Sequence, residues 1–247
     1  MNQDIVSIKE LLEAGVHFGH RRSKWDPRIK PFIFEERDKI HIIDIQKTLE
    51  QIKEACKFVN QIAAKGNLIL FVGTKKQAQD TIKEEANRCQ MPYVNNRWLG
   101  GTLTNFATIK KRIDRLLEME RMEAEGTIQI LSKKEQARFQ KNKQRLLRNL
   151  EGLKTLTRLP GLVFIIDSNR EKTAINEARR LNIPVVALID TNCNPELIDY
   201  CIVGNDDAIK SVKIITKKIT DTVLEGQKMI PEPEEEKTPP VPPAPES

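Results

Sequence analysis

Three apolar stretches frame the chain: Leu68–Val72, Leu162–Ile166 and Val185–Ile189 are rich in Val, Ile, Leu and Phe and never alternate with polar residues. A strand wetted on one face alternates, whereas one covered on both does not, so these runs predict a parallel sheet sandwiched by helices. Each run gives way to a helix start or a turn. Gly73 leads into Thr74-Lys-Lys-Gln77, and Asp167 into Ser168-Asn-Arg-Glu171. Both have capping-box spacing, in which a hydroxyl and a side chain three residues later satisfy free helix amides. The third run enters Asp190-Thr-Asn-Cys-Asn-Pro195, a turn-forming cluster. Strand, cap and helix in repetition predict an α/β fold with a three-layer α/β/α core.

Shorter signals fill in the remainder. Ser7-Ile-Lys-Glu10 opens a short helix closed by Gly15, and Phe32-Ile-Phe34 with Ile40–Ile43 predicts a hairpin near a sheet edge. A helix then runs to about Lys65-Gly66, and Asn205-Asp-Asp-Ala208 caps a last one ending near Glu225-Gly226. Between 104 and 154 the grammar changes. Phe106, Ile109, Ile113 and Leu116 recur at 3-4-3 spacing, and Phe139, Leu146, Leu150 and Leu153 at 7-4-3. That is a narrow coiled-coil seam. Gly126 divides the halves and Ser132-Lys-Lys-Glu135 starts the second, predicting two antiparallel helices, each about 30 Å long at about 1.5 Å per residue. The expected organisation is a discontinuous domain (1–103 and 155–226), an inserted helical hairpin (104–154) and a Pro/Glu-rich tail (227–247). With seven prolines in the 18 residues from Ile230, that tail lacks the apolar surface to order itself.

Composition narrows the function. The 247 residues are 39% hydrophobic and 31% charged, with no apolar run near the roughly 20 residues that span a bilayer. The N-terminus has neither a basic segment before an apolar stretch nor the Arg/Ser-rich character of a transit peptide, so the chain is expected to stay in the cytoplasm. Four cysteines without a Cys-x-x-Cys pair read as reduced thiols rather than a disulfide framework or zinc ribbon. The net charge is +6, yet residues 230–247 carry five Glu and one Lys, which leaves +10 on the rest. Such a body favours a polyanion, above all nucleic acid. The helical hairpin holds 13 Lys/Arg against seven Asp/Glu, and within 132–150 the ratio is seven to one.

Candidate contacts follow. The loop from His17 to Pro31 holds Arg21, Arg22, Lys24, Arg28 and Lys30 around Trp25. Cations neutralise phosphates and an indole stacks on a base, so the loop reads as an RNA contact. In Asn95–Asn105, Arg97 faces a ligand, Trp98 packs, and Gly100-Gly101 allows positive φ or close backbone approach. Lys75 and Lys76 follow Gly73 near a helix start and read either as an RNA-backbone contact or as plain surface. No Walker A or Gly-x-Gly-x-x-Gly pattern accompanies them. On the hairpin, the cations are Lys110, Lys111, Arg112, Lys141, Lys143, Arg145 and Arg148. His17, His20, Asp190, Asp206 and Asp207 have ligand chemistry, but no spacing fixes their geometry; the last two read as favourable charges in a first helical turn. No catalytic set has a local signature.

At these motifs the chain resembles the bacterial-type small-subunit ribosomal protein two family. The resemblance rests on Gly15-Val-His-Phe-Gly-His20, Trp25-x-Pro27-x-x-x-Pro31, Ile40-His-Ile-Ile43, Phe71-Val-Gly-Thr-Lys75, Arg97-Trp-Leu-Gly-Gly101 with Leu103-Thr-Asn105, Asp190-Thr-Asn192 and Gly204–Ala208, in that order. It implies a Rossmann-like α/β/α domain, no enzymatic activity, no cofactor and a place on small-subunit rRNA where head meets body. It also implies docking of neighbouring ribosomal proteins, among them the large OB-repeat mRNA-binding protein, in a cytoplasmic or plastid ribosome. Arg97, Trp98, Gly100, Gly101 and the 21–30 loop carry over as RNA-facing. Two other classes compete: a nucleotide-dependent α/β enzyme, which lacks a glycine fingerprint, and a free adaptor that binds protein through its hairpin.

Overall fold

The computed structural model describes residues 6–229. Ser7 and Glu10 form the expected capping box and start helix α1 (Ile8–Glu13). Gly15, at φ 72°, turns the chain into strand β1 (Phe18–Arg21). Strands β2 (Ile33–Arg37) and β3 (Ile40–Ile43) make the expected hairpin. Asp38 and Lys39 between them both take positive φ, 53° and 63°, as a two-residue I′-type turn requires. β1 pairs with the other edge of β3, giving a separate antiparallel sheet of order β1-β3-β2. The stretch read as an open loop thus contains a strand, followed by short 3₁₀ turns at Arg22–Lys24 and Pro27–Phe32.

Next come α2 (Ile45–Ala64), capped by the Asp44 carboxylate, then β4 (Ile69–Val72), α3 (Gln79–Arg88) and β5 (Tyr93–Val94). The two long helices α4 (Phe106–Ala124) and α5 (Lys133–Leu150) follow. The chain closes with β6 (Leu162–Ile166), α6 (Lys172–Arg180), β7 (Val185–Ile189), β8 (Tyr200–Val203) and α7 (Ile209–Gln227). Five parallel strands form the second sheet in the order β5-β4-β6-β7-β8. The runs that never alternated are buried on both faces. Ile69, Phe71, Phe164 and Leu188 pack against α2, α3 and α7, while Leu70, Val72, Ile165 and Ala187 pack against α6 and the bases of α4 and α5. No helix among the described residues is long and apolar enough to cross a membrane.

Two expected capping boxes do not form. α3 begins only at Gln79 and α6 at Lys172, neither with a side-chain cap. The cap of one box has instead taken the partner of the other. Thr74 donates its amide and its hydroxyl to Glu171 Oε1, at 3.0 and 2.5 Å, across 97 residues. At Ser132 the box forms as read. Ile109, Ile113, Leu116 and Met119 of α4 are buried, whereas on α5 only Leu150 is. The apolar stripe of α4 is therefore covered, while α5 contributes only its last position to the buried seam. Glu123, near the end of α4, meets Gln140 (2.7 Å) and Lys143 of α5, so the helices run antiparallel. The last helix ends at Gln227, and the tail from 230 lies outside the described residues.

Candidate nucleic-acid interface

In a doubly wound sheet, ligands sit beyond the strand C-termini where the order reverses, here between β4 and β6. That crevice is occupied by the chain's own charges. Lys75 Nζ lies 2.5 Å from Asp206 Oδ1, 2.6 Å from Asp207 Oδ1 and 3.5 Å from Asp167 Oδ2. Arg170 donates to Thr74 Oγ1 at 2.9 Å. Burial opposes the charge on Lys75, but the carboxylates outweigh it and hold the ammonium protonated well above its ordinary range. Asp206 is fully buried; burial, with Asp167 and Asp190 nearby, pushes its carboxyl up to about 7 despite Lys75. Its Oδ2 has no partner among the described residues. Lys75, expected at an RNA backbone or on plain surface, thus has its ammonium engaged by three acidic side chains of the chain itself. Lys76 beside it is exposed.

The same cluster binds β1 to the sheet. His20 Nδ1 is 2.9 Å from Asp190 Oδ2 and Nε2 is 3.4 Å from Asp207 Oδ2. The Asp190 hydrogen bond raises the imidazole pKa against the opposing effect of burial. His17 stands apart, with its buried Nδ1 unpartnered among the described residues. Among the described residues, the groups of three that bring ligand atoms within 4.8 Å of one another are His20, Asp190 and Asp207, and separately Asp167, Cys193 and Asp206. The second set already holds Lys75, and burial pushes the Cys193 thiol up to about 11, which keeps it protonated and a poor ligand.

Charges elsewhere are disposed differently. Arg22 pairs with Glu36, Arg28 with Asp26 and Glu196, and Lys143 with Glu123. Arg21, Lys24, Lys30, Arg97, Lys110, Lys111, Arg112, Lys141, Arg145 and Arg148 are exposed, and none forms an ion pair among the described residues. The first segment is held in place by backbone: Asp26 N donates to Thr191 O at 2.8 Å and His20 N to Thr191 Oγ1 at 2.9 Å. Trp25 is half-buried over His41, ring centroids 5.0 Å apart. Trp25, Leu99 and Leu146 all pack on the same side of the sheet, so segment 21–30, the 97–101 loop and the helical pair are anchored to one core layer.

Trp98 is buried, and the packing reading describes it. Its Nε1 donates to Glu177 Oε1 at 2.9 Å. Sequence reasoning missed Glu177 altogether. Its carboxylate also accepts from the amides of Gly101 (2.8 Å), Leu103 (3.0 Å) and Thr104 (3.1 Å), fixing the loop that carries Arg97. Burial would raise this carboxyl, yet those donors hold it below its ordinary value. Gly101, at φ 86°, makes the turn, and Gly100 stands exposed with open space where a Cβ would be. Asn96 Nδ2 reaches Arg148 O at 3.0 Å, joining this loop to the base of α5.

Residues 11–226 match the family model for ribosomal protein S2. The small ribosomal subunit protein uS2 of Acidobacterium capsulatum is 54% identical over 225 residues, covering 91% of this chain and 75% of that protein. With the crevice filled by internal ion pairs and the match running nearly end to end, the chain belongs to the ribosomal protein S2 family, whose role in the ribosome is structural and not enzymatic.

Proposed function

We propose that the chain binds small-subunit rRNA at the head–body junction, with its unpaired cations as the RNA-facing surface. The observation that carries this is their state: exposed, without ion-pair partners among the described residues, and borne on segments anchored to one side of the sheet. Lysines and arginines in this state release counterions when they meet phosphates, so binding falls steeply with salt. Arg21, Lys24, Lys30 and Arg97 would fix the body of the protein on folded RNA, and the helical pair would extend the footprint. The opposite face and the outer ends of the pair are left to neighbouring ribosomal proteins, including the large OB-repeat protein that carries mRNA. The working place is the ribosome in the cytoplasm.

The test is the triple neutralisation of Lys141, Arg145 and Arg148 to Gln in the full chain, measured as rRNA affinity against salt. The slope of log K against log salt should fall by about three, and incorporation into small subunits should fall with it. A wild-type slope in the triple variant would remove the helical pair from the RNA footprint.

A further inference from the structure

A groove of about 620 Å³ lies between α4 and α5, running from Leu150 at their base out to Phe139. That is within the range of about 300–1,000 Å³ typical of ligand pockets. Its lining has a defined chemistry. Met119, buried on α4, and Phe139, half-buried on α5, contribute apolar surface. Arg112 and Arg145 line it without ion pairs among the described residues, and Arg115 is tethered to Glu118 at 2.7 Å. Asn142 and Asn149 also line it, and the side-chain amide of neither has a hydrogen-bond partner among the described residues. No carboxylate lines the groove.

An apolar surface with one aromatic ring, two free carboxamides and guanidiniums calls for a flat, hydrogen-bonding, anionic guest. A paired duplex offers only phosphates there, since its bases are stacked away. An unpaired nucleotide offers all three features, because its base can lie on an aromatic ring and present its edge to a carboxamide. The chain's own acidic stretch at 232–236 matches the guanidiniums but is Pro and Glu alone, with nothing to cover Phe139.

We propose that this groove receives one unpaired nucleotide of the RNA, its base against Phe139, its edge at Asn142 and Asn149, and its flanking phosphates at Arg112 and Arg145. This rests on the reading of the helical pair as an RNA-binding element.

The experiment uses the full chain and two probes: a single-stranded RNA of about eight nucleotides carrying 2-aminopurine, and a blunt duplex of equal length. Phe139→Leu keeps the apolar surface and removes the ring; the double variant Asn142→Ala with Asn149→Ala leaves the apolar packing alone. Each should weaken the single strand by about tenfold and leave the duplex unchanged, and the fluorescence change on binding should disappear with Phe139→Leu. Wild-type affinity in both variants, or equal losses for single strand and duplex, overturns the groove while leaving the helical pair an RNA contact. Failure of either RNA to bind the wild type at low salt sinks that underlying reading instead. A synthetic peptide of residues 230–247 that binds the wild type but not Phe139→Leu, with RNA binding unaffected, would hand the groove to protein and overturn the proposal.

Discussion

The strand ends and the helical pair carry charge in opposite ways. At the strand ends Lys75 and His20 are surrounded by Asp167, Asp190, Asp206 and Asp207, drawn from separate loops and mostly buried. On the helical pair the cations outnumber the acids, and most of them point into water with no partner. A buried charge without its partner is costly, so the first arrangement couples charge to folding. Exposed cations contribute little to folding and much to association with a polyanion. Where nucleotide-binding sheets keep a phosphate site, this chain has a knot of internal ion pairs, and its unpaired cations lie on other segments, the helical pair among them.

The largest expected effect breaks that comparison at the knot. Lys75→Met leaves Asp206 and Asp167 facing each other across an apolar side chain, and should cost about 3–5 kcal/mol in urea unfolding. RNA affinity of the folded fraction should stay at wild type. Lys141→Gln should do the reverse, with stability within about 0.5 kcal/mol and weaker RNA binding. If Lys75→Met kept full stability and lost RNA affinity, Lys75 would belong to the interface.

Next in size is Glu177→Ala, which strips the acceptor from four loop amide and indole donors at once. Leaving buried donors unsatisfied should cost about 3 kcal/mol and expose Trp98, read as a red shift in its fluorescence. Glu177→Gln, which keeps one acceptor oxygen, should lose less. An unshifted tryptophan spectrum in Glu177→Ala would show that packing alone holds the loop.

These two residues mark where the sequence stops being legible. Three of the five parallel strands, β4, β6 and β7, were readable because burial on both faces removes alternation, a local property of five-residue runs; the edge strands β5, two residues long, and β8, partly exposed, carry no such run. The boxes at Ser7 and Ser132 were readable because cap and partner lie three residues apart in sequence and in space. Thr74 and Glu171 satisfied the same local rule and broke it, since each found a buried partner across the sheet. Lys75 sits 131 residues from Asp206, and Glu177 sits 76 from Gly101; no spacing rule connects such pairs. The strand Phe18–Arg21 was hidden for the same reason, its partner β3 coming after two 3₁₀ turns and the first strand of the hairpin. The exposed cations, by contrast, needed no partner to be seen.

The smallest expected effect sharpens the comparison through pH. Burial raises Asp206 from an ordinary carboxyl to about 7, so the folded state holds a proton that the unfolded chain has released. The stability tied to that proton is fully present below about pH 4 and is lost as pH rises through 7. His20 is also raised, by its bond to Asp190, so its contribution is complete below about pH 6.5 and is lost as pH passes its folded value. Both groups point the same way: Tm should fall by about 3 °C or more from pH 5 to 8, each kcal/mol being worth about 2–4 °C at this chain length. Asp206→Asn cannot ionise and should flatten the slope between pH 5 and 7, whereas His20→Gln should flatten it only near neutrality. Neutralising Lys141, Arg145 and Arg148 should leave the slope untouched, because nothing buried titrates against them. A slope that survives Asp206→Asn and His20→Gln together would mean that the knot is not what couples folding to protons.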